Sequence, residues 1–140
     1  MAFFDNMSKH FEKNFDRLDD KSLSAILSAQ VQMRLVTGQV LFKKLDNPTA
    51  LRNLVLRVLH QQNFESKYYS IILGQTFNLM THEPHNPGKL RRDLPVRLDL
   101  HFWVECVRYI PRLSFPSEQE VNRLIQTLIK IDTELVELDF

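Results

Sequence analysis

The sequence predicts an all-α fold, a single-domain bundle of five to six helices spanning residues 1–140. Three observations carry that expectation. Apolar residues recur at three- and four-residue steps in segment after segment, which is the period of a helix with one buried face. The segments are punctuated by proline, asparagine and aspartate at positions that start or stop helices. The chain has only three glycines, too few for the tight hairpins and bulges of a β protein.

A first amphipathic helix is predicted over Asn6 to Arg17, with Phe4, Met7, Phe11 and Phe15 at helical spacing. Asp19 and Asp20 offer an N-cap for a long second helix, Lys21 to Leu45. Leu23, Ile26, Leu27, Leu41 and Leu45 share one side of it, and Arg34 projects near the middle of that side. Val31, Met33, Leu35, Val36 and Val40 spread apolar character round the rest, the mark of a central or sandwiched helix. Asn47-Pro48 then reads as a cap followed by proline at the first helical position. The third helix, Pro48 to Gln62, buries Leu51, Leu54, Val55, Val58 and Leu59, and its opposite arc carries Arg52, Asn53, Arg57, His60 and Gln61.

A fourth helix is expected over Phe64 to Met80, with Phe64, Tyr68, Ile71, Ile72 and Leu79 inward and Gly74 inside it. Thr81 to Pro95 holds Pro84, Pro87, Gly88 and Pro95 and reads as the longest irregular stretch. The fifth helix, Val96 to Ile110, ends at Pro111. Its expected apolar face is Leu100, Trp103, Val104 and Val107, and its polar face His101, Glu105, Arg108 and Arg112. Ser117-Glu118-Gln119-Glu120 is a capping box that opens the last helix. Val121, Leu124, Leu128, Ile131, Leu135 and Leu138 follow as a heptad seam.

The composition narrows the function. A formal charge of +1 hides a segregation along the chain: residues 1–20 carry −2, residues 21–112 carry +7 and residues 113–140 carry −4. A basic middle suits a polyanion, and acidic ends suit a protein partner. The one cysteine, Cys106, excludes an internal disulfide framework and a cysteine zinc cluster, and it fits a reducing cytoplasm. Its position beside an apolar helix face predicts a buried, inert thiol. No apolar run reaches 18 residues, and the charged N-terminal stretch reads neither as a signal peptide nor as a membrane span, so no membrane partner is expected.

The basic residues are the candidate site. Lys43, Lys44, Arg52, Arg57, Lys67, Lys89, Arg91, Arg92, Arg97, Arg108 and Arg112 fall on predicted polar arcs or in the proline-bounded loop. Long cationic side chains reach phosphates, and arginine adds bidentate geometry. The plain alternative is a solvated helix face. Against it, Asn47 to Gln62 holds no acid at all, whereas a merely soluble surface mixes both signs. No helix-turn-helix, zinc finger or aromatic RNA-binding strand motif is present, so contact would be to backbone with little sequence preference.

The chemistry-bearing alternatives are thinner. His82, Glu83 and His85 lack the ligand count and spacing of a metal site. His101 and Glu105 stand one helical turn apart, which a surface contact explains as well as acid–base chemistry does. Phe102, Trp103, Tyr109 and Tyr68 have core spacing, although aromatic rings also stack on bases. No nucleophile is paired with a base, so no enzyme activity and no cofactor or metal is expected. In the last helix, Glu134, Glu137 and Asp139 sit where the helix dipole disfavours negative charge, and the cations of a neighbouring protein would offset that. They are the expected protein interface, either with other subunits or head-to-tail with further copies of this chain.

The size, the helicity and basic faces such as Arg52-Asn53-Leu54-Val55-Leu56-Arg57 and Lys89-Leu90-Arg91-Arg92 resemble the small helical subunit of CRISPR effector complexes of the Cascade type. The resemblance covers most of the chain in outline and no part of it by a diagnostic motif. It implies a non-enzymatic subunit in antiviral defence that stabilises guide RNA and target DNA through phosphate contacts. The alternative is a helical protein–protein interaction module, an adaptor or regulator whose basic face binds an acidic partner.

Overall fold

The computed structural model describes residues 6, 9–10, 12–60, 65–81, 100–114 and 117–137, apart from the side chains at positions 16, 66, 100, 101, 112 and 134–137. Among the described residues every regular element is helical and no strand is present. Five α-helices follow in order: α1 (Asp20–Thr37), α2 (Pro48–Leu59), α3 (Ser66–Thr81), α4 (Leu100–Arg108) and α5 (Glu118–Glu137). Short 3-10 turns at Phe15–Arg17, Lys43–Asp46 and Ile110–Arg112 join them. Residues 9–10 and 12–13, inside the predicted first helix, are also helical.

The helix starts follow the sequence signals. Asp19 caps α1 by accepting the Ser22 N–H at 2.7 Å, and that bond holds its carboxyl below the usual carboxylate range. Asn47 caps α2, accepting from the Thr49 and Ala50 N–H groups at 3.0 and 3.1 Å. Ser117 caps α5 through the Glu120 N–H at 3.4 Å.

The end of α1 departs from expectation. The helix stops at Thr37 instead of running to Leu45, because Gly38 takes a left-handed φ of 71° and its N–H closes on the Arg34 carbonyl. Leu45 still reaches the core, carried there by the 3-10 turn at Lys43–Asp46. Leu35 and Val36, on the last turn of α1, are exposed at 63% and 69%, so this end of the helix is not sandwiched.

One buried cluster unites the elements, drawing Leu23 and Leu27 from α1, Leu51, Val55 and Val58 from α2, Ile72 and Phe77 from α3, Phe102 and Trp103 from α4, and Leu124 and Ile131 from α5. Three polar ties join α1 to α3. Asp20 accepts the Glu65 N–H at 2.8 Å, Gln75 donates to Ser28 at 3.5 Å, and Arg34 donates to the Leu79 carbonyl at 3.3 Å. These ties advance together along both helices, so α1 and α3 run in the same direction and α2 makes the return. Gly74 faces α5, where a Cβ would meet the Thr127 methyl at 3.6 Å, an ordinary packing distance.

Two apolar faces are rotated from their predicted positions. On α4 the buried residues are Phe102, Trp103 and Cys106, while Val104 and Val107 stand about half exposed, at 49% and 48%. The Phe102 and Trp103 rings meet edge to face at 4.9 Å, and Trp103 meets Phe77 at 5.8 Å. That aromatic contact sets the helix rotation and displaces the valines outward. On α5, Leu124 and Ile131 are buried and Leu128 is half-buried, as a seam requires, but Val121 is exposed. Ile125 and Ile129 continue an exposed apolar stripe from Val121 at four-residue steps. The seam's Leu135 side chain and Leu138 lie outside the described residues.

Candidate nucleic-acid interface

The structure divides the predicted cations among separate places. Arg52 and Arg57 stand five residues apart on α2, about 140° round the helix, so they do not share a face. Arg57 is half-buried and its guanidinium donates to the Phe15 carbonyl, tying α2 to the N-terminal segment. Lys43 and Lys44 are exposed on the 3-10 turn before α2, with the Lys44 N–H donating to Glu12 at 3.3 Å. Phe15 and Phe42 pack at 6.1 Å beneath this region. Lys67 stands apart at the start of α3, 3.6 Å from Glu65 and 5.0 Å from the centre of the Tyr68 ring. Tyr68 and Glu65 together raise its ammonium above the usual lysine range.

Arg52 instead meets Arg108. Between α2 and α4 lies a cleft of about 380 Å³ whose lining includes Arg52, Asn53 and Leu56 from one helix and Phe102, Val104, Glu105 and Arg108 from the other. Leu56, Phe102 and Val104 are the apolar part of that lining, and Arg52, Asn53, Glu105 and Arg108 the polar part. Two arginines 56 positions apart in sequence thus line one opening, with Asn53 beside Arg52 on α2 and one acidic residue, Glu105, on the α4 side. Two arginines lining one cleft suit a phosphate, since arginine presents a planar fork of donors.

Two contacts hold the walls of this cleft in place. The Tyr69 hydroxyl donates to the Cys106 carbonyl inside the core, fixing α4 against α3. The Tyr109 hydroxyl bonds the His60 ring, with the two ring centres 5.3 Å apart, and so closes the C-terminal ends of α2 and α4 on each other. Cys106 itself is fully buried, and burial pushes its thiol from 9.0 up to about 12. Tyr69 is raised above the tyrosine range by the same cause.

The cleft was only half visible in the sequence. Arg52 and Arg108 were each legible as cations on polar arcs, but the pairing was not, because it depends on how α4 is rotated about its aromatic contact. Asn53 and Glu105 carried weak signals as polar neighbours at helical spacing. Of the buried polar set around Arg34, the sequence shows only a cation on an apolar helix side. Arg34 is 3% exposed and pairs with Asp46 at 2.9 Å. Gln30, fully buried, donates to the Phe42 carbonyl at 3.0 Å and accepts the Phe42 N–H at 2.7 Å. Together they clamp the segment that carries Lys43 and Lys44 onto α1.

Lys89, Arg91, Arg92, Arg97 and Asp139 lie outside the described residues, as do the side chains of Arg112, Glu134 and Glu137. So do His82, Glu83 and His85, and the His101 side chain. Among the described residues no group of three or more histidine, cysteine, aspartate or glutamate side chains is placed to hold a metal ion. No helix among them is long and apolar enough to cross a membrane.

No protein-family model, no curated protein and no solved structure matches the chain.

Proposed function

We propose that this protein is a non-enzymatic nucleic-acid-binding subunit of a larger assembly, holding a phosphate backbone with little preference for sequence. The observation that carries the reading is the convergence of Arg52 and Arg108 on one cleft, beside a helix that has no acidic residue from end to end. The exposed Lys43 and Lys44 extend positive charge beyond the start of the same helix. The sequence resemblance to the small helical subunit of Cascade-type CRISPR complexes supports the same class of role, in which guide RNA and target DNA are stabilised by backbone contacts.

Fluorescence titration with single-stranded, duplex and hybrid oligonucleotides at two salt concentrations tests it. The Arg52→Ala, Arg108→Ala double variant weakens binding on all sequences alike and lowers the salt slope by about one to two. Lys67→Ala, remote from the cleft and paired with Glu65, leaves both nearly unchanged. Equal affinity and slope for the double variant and the parent would remove the cleft from the reading. A second reading, a helical protein-interaction module, draws on the exposed stripe of Val121, Ile125 and Ile129 along α5. Absence of oligonucleotide binding at low salt would select it.

A further inference from the structure

A second opening lies on the other side of α3, away from the arginine cleft. This groove of about 540 Å³ runs between α3 and the first half of α5, and its lining includes Ser70, Ile71, Gln119, Asn122, Arg123 and Gln126. Three observations set it apart from an ordinary polar surface. Ser70 is 5% exposed, and its hydroxyl has no hydrogen-bond partner among the described residues. Buried hydroxyls are almost always paired, and this unpaired one belongs to a residue that borders the groove. Among the described residues of that lining Arg123 is the one that carries a charge. Gln119, Asn122 and Gln126 repeat at i, i+3 and i+7, which aligns three carboxamides along one edge.

The chemistry of that lining separates the possible occupants. A phosphate backbone only accepts hydrogen bonds and needs several cations, whereas this groove offers one. A nucleobase presents donors and acceptors together, but it needs an aromatic platform, and no aromatic ring lines the groove among the described residues. A peptide backbone presents a donor and an acceptor at every unit, and a carboxamide side chain matches both. The row rises about 10.5 Å along the helix, a length that about three residues of an extended chain span. Ile71, 36% exposed, offers an apolar contact for one side chain.

We propose that the groove between α3 and α5 binds an extended peptide segment of a protein partner, with an acidic side chain of that segment placed on Arg123. This surface is separate from the arginine cleft and stands whether or not the cleft holds nucleic acid.

The test uses the full-length chain, fluorescently labelled, on a membrane array of random nine-residue peptides. The strongest binders are then measured in solution by fluorescence polarisation. Peptides with a central aspartate or glutamate are enriched, and exchanging that acid for its amide lowers affinity about tenfold. Arg123→Glu abolishes binding, Arg123→Lys retains part of it, and Asn122→Ala with Gln126→Ala lowers it about tenfold. Ser70→Ala separates a ligand contact from a packing fault: it raises the melting temperature and lowers peptide affinity several-fold. The proposal is overturned by an array with no acidic enrichment, or by binders that ignore Arg123→Glu. Displacement of the peptide by an unlabelled oligonucleotide would overturn it too and assign the groove to nucleic acid. Loss of oligonucleotide binding in Arg52→Ala, Arg108→Ala with peptide affinity intact shows that the two surfaces are independent.

Discussion

Arg34 sits in the core with its guanidinium on Asp46 and on the Leu79 carbonyl, so it joins α1, the Lys43–Asp46 turn and α3 at one point. The two partners of the ion pair are unequal. Arg34 is 3% exposed, whereas the Asp46 side chain is 34% exposed and keeps contact with water. Removing Asp46 therefore strands a buried cation, while removing Arg34 leaves an anion that water can solvate. We expect Asp46→Ala to cost about 3 kcal/mol and Arg34→Met, which keeps the packing, about half of that, measured by urea unfolding. The reverse order would show that packing, not charge, dominates the site. Cys106 makes a second prediction at this scale. Its folded pKa is raised by burial from 9.0 to about 12, so the folded state binds a proton that the unfolded state releases. The stability this contributes is complete below about pH 9 and is lost as pH rises through about 12. A Cys106→Ala variant loses less stability across that window. At pH 8 the native thiol resists a thiol-reactive dye, and the dye reacts at the rate of unfolding.

The helices owe their limits to single residues whose contacts are local. Gly38 closes α1 in a left-handed conformation that a Cβ disfavours, so Gly38→Ala is expected to destabilise the chain by about 1 kcal/mol. Asn47→Ala removes the acceptor for two N–H groups at the start of α2 and is expected to cost about 1 kcal/mol as well. The sites lie on either side of the Lys43–Asp46 turn and share no bond, so a double variant is expected to show additive losses in thermal unfolding. Both signals were present in the sequence. Asn47-Pro48 marks its boundary plainly, whereas the stop at Gly38 is masked by apolar residues that keep helical spacing on either side of it. Periodicity reports that residues can share a face. It does not report that the chain between them stays helical. The last helix makes the same point differently, since the step from Val121 to Ile125 to Ile129 is as regular as the buried seam, yet it faces outward.

Across the whole molecule, the excess positive charge of residues 21–112 is not one surface. It is split between the arginine cleft, the Lys43–Lys44 turn with nearby Arg57, and the Lys67 site, with further cations outside the described residues. Salt dependence is the property that reads this arrangement. If the cleft alone engages phosphates, the slope lost in Arg52→Ala, Arg108→Ala accounts for most of the total. A large residual slope that Lys43→Ala, Lys44→Ala then removes would place the backbone along α2 from end to end. The sequence by itself determined the helical class, the caps of α1, α2 and α5, and the acid-free arc of α2, because each depends on neighbours within one or two turns. Only the tertiary structure decided which cations meet. Arg52 and Arg108 converge because Phe102 and Trp103 fix the rotation of α4, and Arg57 turns away because its guanidinium finds the Phe15 carbonyl. The same holds for the groove at Ser70, which exists because α5 packs on α3. Contacts between residues dozens of positions apart follow from how faces pack, and the period of a sequence carries no record of that.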